Sequence, residues 1–198
     1  MTYEFDRIYD EKLKELAARS GRILDVGGGR PFQKRLSGYR ELLSGKEYVT
    51  IDIDPTTGPD VVGDAHALPF PDASFDAVLH SSVLEHLHSP WIAVREMHRV
   101  LKPGGLVLGV VPWVYPYHAR KGHYADYWRF TRDGLQQLFS GYSHVEVKNM
   151  GGWFMAAGRF IPGYWRLRPV LEPILYGFDR FVSASRSTTP FHMIWAIK

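Results

Sequence analysis

Hydrophobic positions switch between two periods along this chain, and the switches mark its elements. Residues 9–19 place Leu13, Leu16 and Ala17 at helical spacing among charged residues, which predicts an amphipathic helix closed by Ser20-Gly21. The short apolar run at 22–26 predicts a buried strand, and a loop with a short helix over 36–43 follows. Residues 47–53 read as a second strand, 55–59 as a turn-rich loop and 60–63 as a short third strand. A fourth strand is predicted at 75–80, helical segments at 83–87 and 91–100, and a fifth strand at 106–111. Then come a helix at 132–139 and two final strands at 145–148 and 191–197. Strands alternating with helices predict an α/β fold, a mostly parallel sheet with helices on both faces.

Two stretches break this rhythm. Residues 112–131 form a loop crowded with aromatic, His and Arg side chains. Residues 153–182 are apolar, aromatic and rich in Gly and Pro, with Leu167, Val170, Leu171, Ile174, Leu175, Phe178 and Val182 at helical spacings. Interleaved with Arg159, Arg166, Arg168 and Arg180, the second stretch reads as a helical lid or insertion. It leaves open contact with a membrane surface, a lipid-like molecule or a partner subunit.

Composition mainly excludes. A chain of 198 residues without a long linker is expected to be one domain, 1–198. The net charge of +3 has no dense Lys/Arg cluster behind it, so no nucleic-acid partner is expected. With no cysteine, disulfides, zinc-thiolate centres and cysteine nucleophiles drop out. The N-terminal residues lack an apolar signal core and no run of 18 apolar residues occurs, so no transmembrane segment and a cytoplasmic location are expected. Aromatics make up 14% of the chain and crowd into its second half, where they suit either core packing or a pocket for a ring or acyl chain.

The chemistry begins where the first strand ends. In Ile23-Leu24-Asp25-Val26-Gly27-Gly28-Gly29 an apolar run meets a carboxylate and then three glycines, which suits a tight turn with close backbone approach to a ligand. Asp52 follows at the end of the next strand, then Asp64-Ala65, then Leu101-Lys102-Pro103-Gly104-Gly105. The spacing suggests a nucleotide-type cofactor laid across the carboxyl ends of parallel strands.

With Tyr48 to Asp54, Gly63 to Val78, Val83-Leu84-Glu85-His86-Leu87 and Arg99 to Gly105, this ordered set resembles the class I S-adenosylmethionine-dependent methyltransferases of the type 11 kind. The resemblance covers 22–111, about half the chain. It implies a Rossmann-like seven-stranded sheet, mostly parallel with the last strand antiparallel, and S-adenosyl-L-methionine as cofactor. It implies roles for Asp25, Gly27, Gly28 and Gly29 at the methionine and ribose portion, and for Asp52 and Ile53 at the ribose. Asp54 rivals Asp52, being two positions on and on the same side of an extended chain. Asp64 and Ala65 would read the adenine edge, and His80 would lie beneath the cofactor. Glu85 and His86 are read as structural. One departure is Pro31, where the family commonly has another glycine: proline fixes φ and removes an N–H, so the turn must leave the strand differently.

Loops after the strands of such sheets overhang the ligand crevice, which puts the 112–131 loop over the acceptor. His118 and His123 are the candidate general bases, since imidazole titrates near neutrality. Tyr117, Tyr124, Asp126, Trp128 and Arg129 are the candidate substrate-binding residues. His118, His123 and Asp126 have poor spacing for a metal, so none is expected. Methyl transfer to an O or N atom of a small or lipid-like acceptor is the expected reaction. Oligomerisation stays open. A nicotinamide dehydrogenase would need glycine at position 32, where Phe32 stands. A non-catalytic binding or scaffold protein that keeps the fold is the other alternative; Pro31 favours it and the pair Asp52 and Asp64 opposes it.

Overall fold

The computed structural model describes residues 4–32, 34–181 and 188–198. The chain runs through α1 (Glu4–Arg19), β1 (Arg22–Val26), β2 (Glu47–Asp52), β3 (Val61–Val62), β4 (Phe75–Ser81), α2 (Pro90–Val100) and β5 (Leu101–Pro112). It ends in α3 (Arg132–Leu138), β6 (His144–Met150), α4 (Trp153–Gly158), α5 (Tyr164–Phe181) and β7 (Phe191–Ile197). The seven strands form one sheet in the order β3-β2-β1-β4-β5-β7-β6. Pairings from β3 to β5 are parallel, and β7 runs antiparallel to both β5 and β6. The predicted architecture, with its antiparallel last strand, is the one observed.

Strand periodicity divides the core into two layers. Leu24, Val26, Val78, Val107 and Ile194 face α2 and α3. Ile23, Ala77, Leu79, Leu108 and Trp195 face α1 and the turns around Leu36 and Leu43. Each fully buried Leu or Ile is worth about 1.5–3 kcal/mol relative to exposure, so both faces need a helical cover. Neighbouring residues of one strand therefore serve different layers, which is why 106–112 of β5 and 193–197 of β7 read as unbroken apolar runs.

Three departures from expectation matter most. The helix α1 starts at Glu4, a turn and more before the apolar spacing begins. The strand β5 starts at Leu101, because Phe75 pairs with Leu101 before the register shifts around Lys102 to Gly105. Most telling, the glycine turn after β1 leads into a 3₁₀ helix at Lys34–Tyr39, where a Rossmann-like crossover normally has an α-helix. Pro31 and the left-handed Phe32, at φ 59°, mark where the chain leaves the turn on a non-helical path.

The pair α4 and α5 occupies the expected lid segment. Asp179 of α5 accepts the backbone N–H groups of Gly152, Phe154 and Met155 at 2.8 to 3.2 Å, and so caps α4 from outside. Pro169 and Pro173 lie inside α5, and Leu167, Val170, Ile174 and Phe178 along it are exposed. Val182, the last of the expected apolar positions, lies outside the described residues. Among the described residues no helix is long and apolar enough to cross a membrane.

Candidate functional site

A cleft of about 1170 Å³ opens at the carboxyl ends of β1, β2 and β4. Its floor is the turn Gly27-Gly28-Gly29, with Gly27 at φ 70° and Gly29 at φ 55°, values that favour glycine. The Gly27 N–H donates to the Ile51 carbonyl at 2.7 Å and Arg30 N–H to the Thr57 carbonyl at 3.0 Å, fixing the turn against β2 and the loop after it. A Cβ on Gly28 would stand 2.4 Å from Asp25 Oδ2, so the bare backbone at this point is a packing requirement. Asp25 itself turns inward: it is 6% exposed, and the Tyr48 hydroxyl donates to its Oδ2 at 2.6 Å. Burial and the Asp25 carboxylate push the Tyr48 hydroxyl well above the usual phenol range.

Beside the turn, Asp52 lines the cleft at the end of β2, its Oδ1 accepting the Asp54 N–H at 2.9 Å. Asp54 is committed elsewhere. Its Oδ1 takes the Thr56 hydroxyl at 2.6 Å and its Oδ2 pairs with His123 Nδ1 at 2.8 Å. The Thr56 hydroxyl and the His123 ring hold the Asp54 carboxyl down at about 2. Of the two rival carboxylates, Asp52 is thus the one better placed to take a ligand's hydroxyls. Ile53, 64% exposed, also lines the cleft. Further along, Asp64 Oδ1 accepts from the His66 backbone at 2.9 Å and meets its ring at 2.7 Å. Burial works to raise the Asp64 carboxyl, and these His66 contacts lower it on balance. The His66 ring stacks on His88 at 4.3 Å, making a flat wall next to Asp64 and Ala65.

The 112–131 loop roofs the cleft. His123 ties it to Asp54, while Tyr115, His118 and Tyr124 line the cavity. The pair Asp126 and Arg129 holds the loop together from within. Arg129 donates to both Asp126 oxygens at 2.6 and 2.7 Å and to the carbonyls of Tyr115 and Pro116. Burial alone would raise the Asp126 carboxyl, but Arg129 and the His118 N–H bring it to about 2. At the rim, the Arg159 guanidinium of α4's end lies 5.1 to 5.8 Å from the rings of Phe191, Tyr115, Tyr164 and Trp165, docking the α4–α5 pair against two cleft-lining aromatics.

Behind the roof sits a cluster that the sequence order scatters. Glu85, His86 and His118 each point a ligand-type atom at one region, with those atoms within 4.8 Å of one another. His118 Nε2 is 3.6 Å and His86 Nε2 3.8 Å from Glu85 Oε1, beyond hydrogen-bond range. Glu85 is fully buried, and among the described residues neither of its carboxylate oxygens has a hydrogen-bond partner. The Glu85 carboxylate, and with it Asp126, raises the His118 imidazole above its ordinary value against the opposing effect of burial.

Comparison with known proteins agrees with this geometry. A family profile described as a methyltransferase domain matches residues 24–109, from β1 into β5. An uncharacterized methyltransferase of Mycobacterium sp. strain JLS is 33% identical over 175 residues, covering 74% of this chain and 66% of that protein. The chain is thus similar to the methyltransferase domain family over residues 24–109 and to uncharacterized methyltransferases over about three quarters of its length. Its fold matches the methyltransferase from Mesorhizobium loti with a TM-score of 0.60 at 19% identity, over 98% of this chain and 97% of the other. It also matches Haemonchus contortus phosphoethanolamine N-methyltransferase 2, solved with S-adenosyl-L-methionine, with a TM-score of 0.62 at 16% identity, over 97% and 52%. The chain spans 66% of the length of the strain JLS relative and 41–50% of the length of other mycobacterial ones.

Within this methyltransferase fold, Gly27 to Gly29, Asp52, Ile53, Asp64 and Ala65 all line one cleft, and His118, His123 and Tyr124 reach it from the roof. Other expected residues are placed differently. Asp25 lies under the turn, tied to Tyr48. His80 is 2% exposed, its ring lying over Gly109 on the face toward Phe139, so its side chain leaves the cleft for the core. Asp126 and Arg129 are consumed in holding the loop. Tyr117 is 76% exposed away from the cavity, and the Trp128 indole donates to the Leu87 carbonyl. Sequence reasoning set Glu85 and His86 aside as structural and missed Tyr48 and the His66–His88 wall. Only the Glu85-His86 adjacency was a visible signal.

Proposed function

We propose that the chain transfers the methyl group of S-adenosyl-L-methionine to an O or N atom of a small or lipid-like acceptor seated under the 112–131 roof. The observation that carries this reading is the convergence of Gly27 to Gly29, Asp52 and Asp64-Ala65 on one cleft at the strand ends. The turn's backbone would meet the methionine and ribose portion, Asp52 would accept the ribose hydroxyls beside Ile53, and Asp64 with the Ala65 N–H would read the adenine edge. A sulfonium methyl is already activated, so holding an acceptor atom in line with it supplies much of the acceleration. Acceptor activation centres on His118, which lines the cleft; His123 is held by Asp54 and serves the roof. The exposed apolar side of α5, next to the aromatic rim, supports an acceptor with a hydrophobic portion. In this reading the chain is one methyltransferase domain with α4 and α5 as its lid.

Calorimetric titration with S-adenosyl-L-methionine, with NAD in parallel, tests the donor half. Binding of the first alone is expected, and Asp52→Ala should weaken it by about 1–3 kcal/mol through loss of charge-assisted hydrogen bonds. Heat with NAD alone, or unchanged affinity in Asp52→Ala, would overturn the assignment.

A further inference from the structure

We infer that Glu85, His86 and His118 form a binding site for a divalent first-row transition ion at the acceptor end of the cleft. The use of that ion in catalysis rests on the methyl-transfer reading; its binding does not. This reverses the expectation of no metal, which considered His118 with His123 and Asp126. The fold separates that set by sending His123 to Asp54 and brings in Glu85 and His86 instead.

Three observations carry the site. First, Glu85 has no exposed surface, and among the described residues neither of its carboxyl oxygens accepts a hydrogen bond. A carboxyl taken out of water in this way must be protonated or matched by a cation. Second, both imidazoles are oriented as ligands. His86 Nδ1 lies 2.6 Å from the Ala125 carbonyl, and His118 Nδ1 lies 3.2 Å from the Pro116 carbonyl and 3.2 Å from Asp126 Oδ2. The Ala125 carbonyl calls for the proton of His86 on Nδ1; His118 Nδ1 has two acceptors beside it and Arg129 Nη2 at 3.4 Å, and both Nε2 atoms face Glu85. An Nδ1–H fixed by a carbonyl or carboxylate is the usual outer support of a metal-bound histidine. Third, the spacing suits a shared ion. Glu85 Oε1 stands 3.6 and 3.8 Å from the two Nε2 atoms, whereas a protonated histidine would close on a carboxylate to about 2.8 Å. Ligands about 2.1 Å from a tetrahedral ion stand roughly 3.4 Å apart, a small contraction from what is seen.

Two imidazole nitrogens and one carboxylate favour Zn²⁺, Mn²⁺, Fe²⁺ or Co²⁺ over Mg²⁺ and Ca²⁺, which prefer oxygen. Because His86 and His118 line the cleft, the site has a side open to the acceptor. An acceptor hydroxyl bound there would lose its proton to solvent more readily. Its oxygen lone pair then forms the bond to the methyl carbon as the carbon–sulfur bond breaks, with that electron pair returning to sulfur. His118 thereby serves acceptor activation as a ligand in place of a base.

The test uses the whole chain, stripped with chelator and titrated separately with Zn²⁺, Mn²⁺ and Mg²⁺, with S-adenosyl-L-methionine titrated into the same samples. One transition ion per chain is expected, with no comparable Mg²⁺ binding. Glu85→Gln and His118→Asn should each weaken it by more than the roughly 10–100-fold that loss of an outer partner costs. The exposed His144→Ala should bind as the parent does. Loading with Co²⁺ should give a visible spectrum that Glu85→Gln abolishes. Absence of ion binding, or binding unchanged in both Glu85→Gln and His118→Asn, overturns the site. If the cofactor binds while the ion does not, only the metal fails; if the ion binds while the cofactor does not, the methyl-transfer reading fails and the site stands.

Discussion

Replacing His80 with leucine should flatten the acid side of this protein's stability curve, and the structure sets the size of the effect. The His80 ring is buried against Gly109 and on the side of Phe139, and among the described residues neither ring nitrogen has a hydrogen-bond partner. Burial therefore brings its pKa from the ordinary 6.5 to about 4. The folded state keeps the ring neutral while the unfolded chain binds a proton below 6.5. Stability is full above that value and is lost as pH falls toward 4. Integrated from pH 7 to pH 5, that difference is worth about 2 kcal/mol. His192, lowered to about 4 by burial and Arg132, adds a loss of the same sign. Urea unfolding of parent and His80→Leu at both pH values gives the quantity needed, the change in unfolding free energy between them. Packing cost of the new side chain cancels in that difference, as do groups that titrate alike in both proteins. The parent's acid loss should exceed the variant's by about 2 kcal/mol. Equal losses in the two proteins would refute the buried, neutral histidine.

Asp179→Ala removes the acceptor for three N–H groups at the start of α4. It should destabilise the α4–α5 pair by about 2 kcal/mol and speed hydrogen exchange at Phe154 and Met155 while leaving the central strands protected. Uniform protection would show that the cap is unimportant. Tyr48→Phe deletes the 2.6 Å hydrogen bond to the buried Asp25 carboxylate. Unfolding free energy should fall by about 1–3 kcal/mol, and an unchanged urea midpoint would show that other contacts satisfy Asp25.

Much of the fold was legible because its signals are local. Unbroken apolar runs mark strands buried on both faces, and the spacing of Leu13, Leu16 and Ala17 marks a helix wherever it packs. The donor half of the site was legible for a similar reason. In a parallel sheet, the residue that ends each strand lands at one edge, so Gly27 to Gly29, Asp52 and Asp64 converge through topology alone. Roles within the loops were not legible. Asp126 and Arg129, three residues apart, looked like free polar groups facing a substrate, yet each is the other's partner. His80 looked like a strand-end residue near the cofactor, but strand alternation turns its side chain toward the α3 layer.

The sequence by itself determined the order of strands and helices, the glycine turn, the carboxylates at the strand ends and the break that Pro31 marks in the first crossover. These follow from backbone geometry and from apolar periodicity, which act over a few residues. Only the tertiary structure decided that His123 reaches Asp54, 69 residues away in sequence, and that His118 reaches Glu85 and His86. Contacts of that kind depend on how the 112–131 loop folds back over the sheet. That path is set by the bond from the Tyr127 N–H to the Glu85 carbonyl and by the Asp126–Arg129 pair, which no spacing rule encodes. The donor end of the cleft is therefore written in local pattern, and the acceptor end in long-range closure.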